Sequence, residues 1–129
     1  MQRARYSWLV FRALWELFRY EALLALRGFG SIQQRLKRQR PAEKAAGPEL
    51  QKAICDAVLL ATCFYWKPVL CLQRSVCAVR LLRKYGAAAK LVIGYRPAPF
   101  FSHAWVEVDG RLVNGPAGYQ SRMHVLCTV

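Results

Sequence analysis

Between Tyr85 and Lys90 the recurrence of apolar residues changes from every third or fourth position to every second, and that change limits the folds open to this chain. Upstream, Leu72, Val76, Val79 and Leu82 form a stripe at helical spacing that stops at Tyr85-Gly86. Downstream, Ala104, Val106 and Val108 alternate with His103, Trp105 and Glu107, the period of a strand with one face on a core. Helices gathered in the first two thirds and strands in the last third predict an α+β class: N-terminal helices, then one helix packed on a small antiparallel sheet.

The helical part divides at Gly28-Phe29-Gly30 and again at the Pro- and Gly-bearing stretch 39–48. Tyr6 to Arg27 reads as an amphipathic helix with Arg12, Glu16 and Arg19 along one side. Ser31 is placed to cap a short basic helix, Ile32 to Arg38. Glu49 to Trp66 resumes the period through Leu50, Ile54 and Ala61, with Asp56 on a solvated face and Cys55 and Cys63 as core cysteines. The strands expected are Lys90–Tyr95, Phe100–Val108, Arg111–Asn114 and an edge strand within Met123–Val129, with a turn at Arg96-Pro97-Ala98-Pro99. Asp109-Gly110 is a two-residue hairpin signal, so Val108 should pair with Arg111, Trp105 with Asn114 and His103 with Pro116.

The chain has 129 residues, enough for one modest domain: a helical region and linker over 1–48 and a core over 49–129. Its 20 Lys and Arg stand against 7 Asp and Glu, which implies acidic partners. Nucleic acid is not expected, because the basic residues are mixed into apolar helical stretches with no recognition motif. No uncharged apolar run is long enough to span a bilayer. The broad apolar face of Tyr6–Arg27 meets either protein or, as a peripheral contact, a membrane interface. The five cysteines include no C-x-x-C pair and no secretory signal precedes them, so reduced thiols and a cytoplasmic setting are expected. With His103 and His124 the only imidazoles and no metal-type spacing, no metal and no cofactor are expected.

Pro68 suits the approach to a helix start, which puts Cys71 at a helix N-terminus. Unpaired amides and the positive end of the helix dipole there favour the thiolate, and Arg74 adds a positive charge one turn on. His103, on a strand able to pack over that helix, is the matching base. A cysteine in an apolar helix is more often a small core residue, and a Cys and a His about thirty residues apart are by themselves a weak signal. Cys77, six residues after Cys71, faces another side of the helix.

The run Cys71-Leu72-Gln73-Arg74-Ser75, then Leu81-Leu82-Arg83-Lys84-Tyr85-Gly86, Leu91-Val92-Ile93-Gly94, Phe100 to Val108 and Asp109-Gly110 closely resembles the peptidase half of the B protein of lasso-peptide biosynthesis. The resemblance covers about the last half of the chain, in order. It implies a transglutaminase-core-like, papain-like cysteine protease that removes the leader peptide from a ribosomally made precursor, with Cys71 and His103 as its pair. It also implies a separate leader-recognition protein, because these 129 residues hold no stretch like that family's small recognition domain, and a lasso cyclase.

One position departs from the family. An aspartate usually follows the Val-Asn equivalent, whereas here Asn114 is followed by Gly115 and Pro116. In the expected register Asn114 shares a face with His103, one diagonal away, and its amide oxygen would orient the imidazole as asparagine does in papain-like enzymes. Asp109 is engaged by the turn, and Glu107 lies too far along its own strand. The missing acid keeps two other readings open: a precursor-binding scaffold of weak or no activity, and a transglutaminase or acyl-transferase enzyme using the same Cys-His pair.

Overall fold

Gly28, at φ 79°, is where the first helical stretch breaks. Its N–H donates to the carbonyls of Leu23 and Leu24, closing α1 (Gln2–Arg27), and α2 (Phe29–Arg38) begins at the next residue. The second helix thus starts earlier than the cap expected at Ser31, because a glycine that turns the chain makes a side-chain cap unnecessary. The computed structural model describes residues 2–43, 47–97, 100–114 and 123–129. After Gly47, α3 (Pro48–Phe64) opens with proline in its first turn, where φ near −65° is already helical. It ends two residues before the expected Trp66, at an extended Tyr65. The last helix is α4 (Cys71–Lys84).

Four strands follow: β1 (Ala89–Pro97), β2 (Phe100–Val108), β3 (Arg111–Asn114) and β4 (His124–Thr128). They form one antiparallel sheet in the order β3-β2-β1-β4. β1 runs two residues past its expected end, through Arg96 and Pro97, which pair with Phe101 and Phe100. Proline is tolerated there because β4 pairs with β1 only as far as Tyr95, so among the described residues Pro97 has no second neighbour to donate to. The rest of the expected turn, Ala98 and Pro99, lies outside the described residues.

Asp109 and Gly110 both take positive φ, 54° and 77°, the signature of a two-residue turn, and Val108 pairs with Arg111 as the turn predicts. Glu107 pairs with Leu112 in the same register, which then slips: Val106 pairs with Asn114, so β3 accommodates Val113 as an extra residue and Asn114 does not reach Trp105. Pro116, expected opposite His103, lies outside the described residues.

The core is layered about α4, which packs on α1 and α3 on one side and on β1 and β2 on the other. Val76, Cys77, Ala78, Val79, Leu81 and Leu82 are all buried along it. α1 contributes Leu9, Ala13, Leu17 and Tyr20, α3 contributes Ile54, Ala57, Val58 and Ala61, and β2 contributes Ala104, Val106 and Val108. Each fully buried leucine in this set contributes about 2 kcal/mol of transfer free energy. Cys63 is exposed, contrary to the expected core position, because two residues beyond the buried Ala61 the helix has turned its face outward. No helix among the described residues is long and apolar enough to cross a membrane. Trp8, Phe11, Trp15 and Phe18 nevertheless leave more than half of their surface exposed on the outer side of α1.

Candidate active site

Cys71 is the first helical residue of α4, half-buried and free. The residue before it, Leu70, is extended and has no side-chain group to cap the helix, and its carbonyl already accepts the N–H of Arg74 at 3.0 Å. The amides of the first turn therefore stay available around the Cys71 sulfur, in the field of the helix N-terminus. The approach to this point is anchored to α1 by Glu21, which accepts from the Tyr65 hydroxyl at 2.8 Å and pairs with Lys67. On the helix itself, Gln73 is buried and donates through Nε2 to the Leu17 carbonyl at 3.0 Å. Its amide thus faces α1.

Ser75 connects the helix to the strand. It lies one turn after Cys71, is fully buried, and donates to the carbonyl of Ala104 at 3.1 Å. Cys71 and His103 are therefore each one short step from a common bond, one helical turn on one side and one residue on the other. Nothing in its sequence neighbourhood distinguishes Ser75 beyond its place in the run after Cys71, so its role emerges only when the helix meets the sheet.

His103 is half-buried on β2. Burial, then the positive charge of Arg74, pushes its pKa below the usual histidine range, so the imidazole is neutral at neutral pH and able to take a proton. The Nε of Arg74 is itself buried without a hydrogen-bond partner among the described residues. The His103 ring lies 6.2 Å from that of Trp105, nearly parallel to it. Trp105 is held in turn by a 2.7 Å bond from Nε1 to Glu107 and by Gly94, the residue paired with His103 on β1, where a Cβ would stand 2.6 Å from the indole. Glu107 is engaged by Trp105.

The remaining thiols are differently placed. Burial, reinforced by Asp56, pushes the Cys55 thiol up to about 11, and burial also raises that of Cys77 well above its ordinary value. Both are held as neutral thiols. Asn114 ends β3 opposite Val106, three residues along β2 from His103 and about 10 Å away along the strand. The diagonal on which its orienting role was drawn is not formed. Among the described residues no three His, Cys, Asp or Glu side chains gather as a metal would require.

The family model described as the transglutaminase-like superfamily matches residues 14–128, nearly the whole of this architecture, including α4 and all four strands. The microcin J25-processing protein McjB of Escherichia coli is 37% identical over 59 residues, which are 46% of this chain and 28% of that protein. The chain thus matches little more than a quarter of that relative's length. No solved structure matches.

Proposed function

We propose, from the premise that this chain belongs to the transglutaminase-like superfamily, that it is a cysteine peptidase of lasso-peptide biosynthesis whose single domain removes the leader from the precursor. The reading is carried by the Ser75–Ala104 bond, which holds the start of the Cys71 helix against the strand position next to His103. The processing role in the name of the Escherichia coli relative agrees with it.

His103 takes the proton of the Cys71 thiol, and the sulfur attacks the scissile carbonyl to give a tetrahedral intermediate. The negative oxygen of that intermediate accepts from the backbone N–H of Cys71. His103 then gives its proton to the leaving amine as the C–N bond breaks, leaving an acyl-enzyme on sulfur. Water, deprotonated by His103, releases the acid and restores the thiol. The Cys71–His103 pair carries these steps without Asn114, which stands opposite Val106, about 10 Å along β2 from His103. A separate leader-recognition protein and a cyclase are the proposed partners, and the exposed outer side of α1 supports contact with another protein.

Incubation of purified protein with precursor, with and without a leader-binding partner, tests this reading by mass spectrometry. Loss of the leader with gain of one water supports peptidase action. An amine adduct of the acyl group would favour transfer, and unchanged precursor in all mixtures would favour a binding scaffold, the reading to which the displaced Asn114 lends weight. Cys71→Ala and His103→Ala should each abolish cleavage in a folded protein, whereas Cys77→Ser, which alters a thiol held neutral in the core, should retain it. More than a few per cent activity in a folded Cys71→Ala protein would sink the mechanism.

A further inference from the structure

A cavity of about 370 Å³ opens between α1, the segment after α2 and the last turns of α4. Its wall carries six cations: Arg12, Arg19, Arg40, Arg80, Arg83 and Lys84. Two of them are engaged. Arg80 donates through Nε to Glu16, the only carboxylate of the wall among the described residues, at 2.8 Å, and Arg83 donates to the carbonyls of Ala89, Leu36 and Val129. Arg12, Arg19, Arg40 and Lys84 have no carboxylate partner among the described residues. Like charges crowded in this way repel, and the pKa of Arg19 is lowered first by burial and then by Arg80. An anion entering the cleft would relieve that repulsion.

Two lining residues bear on the kind of anion. Gln39, on the same wall, donates through Nε2 to the Arg80 carbonyl at 3.1 Å, which fixes its amide in the wall. Trp15, half-exposed on that wall, is an apolar neighbour for the stem of an acidic side chain, which a bare phosphate does not carry. Arg80 to Lys84 lie about 14 to 20 Å along the α4 axis from Cys71, with Arg80 about half a turn round it, so the cleft is a surface separate from the Cys71 end of the helix.

We propose that this cleft is an exosite that takes carboxylate side chains of the precursor peptide, away from the scissile bond. It rests on the reading of the chain as a precursor-processing protein and adds to it where the substrate is held.

Binding is measured on the full chain by fluorescence anisotropy, with a labelled peptide of alternating Asp and Glu flanked by leucines and its Asn/Gln counterpart as probes, at about 0.1 M salt. The acidic peptide should bind at least about tenfold more tightly than its amide counterpart. Arg12→Gln with Arg19→Gln should remove that preference, as should Lys84→Gln with Arg40→Gln, an independent pair. Lys90→Gln with Arg111→Gln, an exposed pair on the sheet with the same loss of net charge, should keep it. Equal losses from the cleft and sheet pairs, no preference for the acidic peptide, or inorganic phosphate displacing the acidic peptide at concentrations well below those needed for free acetate would each overturn the exosite. Because Cys71→Ala protein should bind the probe like the parent, failure of cleavage and failure of the exosite are read separately.

Discussion

At the scale of single residues, Arg74 sets the conditions under which His103 can work. It is the second cause, after burial, that holds the imidazole below its ordinary pKa. Removing that charge in Arg74→Met raises the pKa of His103, so the acid limb of the pH–rate profile should move to higher pH, with the plateau retained. An acid limb that stays in place would show that another group sets it. Asn114→Ala discriminates differently. With β3 slipped, kinetics should be unchanged and the pair acts without it; a fall of roughly one to three orders of magnitude would show that its amide orients His103. The places of Cys71 at a helix start and of His103 on a strand were legible because a helix start and a strand period are local properties. The place of Asn114 was not, since the extra residue at Val113 depends on how two strands settle against each other and no turn rule forecasts it. Arg83 was legible only as part of a basic excess, yet it is a buried tie to three carbonyls that come together through tertiary packing alone.

At the scale of elements, α4 is the piece that must not move. Gln73 and Arg80 fasten it to α1, and Ser75 fastens it to β2. Ser75→Ala deletes the bond to Ala104 and leaves a buried carbonyl short of a donor, a cost of about 1 kcal/mol in stability. Its effect on cleavage should be larger than that loss explains, with kcat reduced, KM unchanged and activity recovered in Ser75→Thr, since the bond sets the helix start against the base. A fall in melting temperature with kcat intact would make Ser75 merely structural. Gly94→Ala acts on the other side of His103: the new methyl meets the Trp105 ring and the strand must shift, at a cost of about 1 to 3 kcal/mol readable by denaturant unfolding. The glycine was visible in the sequence only as the end of a β-type run, because the need for it comes from a side chain on the neighbouring strand.

At the scale of the whole molecule, the helical half and the sheet share one buried layer, and titration of that layer should be felt by the entire fold. Cys55 and Cys77 have pKa values raised by burial, Cys55 to about 11 from an ordinary 9.0. A raised value in the folded state means that the stability these thiols contribute is fully present below the unfolded value and is lost as pH climbs through the folded one. For Cys55 the shift corresponds to about 3 kcal/mol lost across that window. The melting temperature should therefore fall between about pH 9 and pH 11. Lysines lose charge over the same range, which relaxes the self-repulsion of a chain with 20 basic and 7 acidic residues and works in the opposite direction. The two contributions separate in the Cys55→Ala, Cys77→Ala double variant, which keeps every lysine and removes both thiols. Its melting temperature should be lower than the parent's at neutral pH, because both substitutions thin the core, and should decline less steeply across the alkaline window. A decline as steep as the parent's would mean that groups other than these two thiols govern the alkaline limit of the fold.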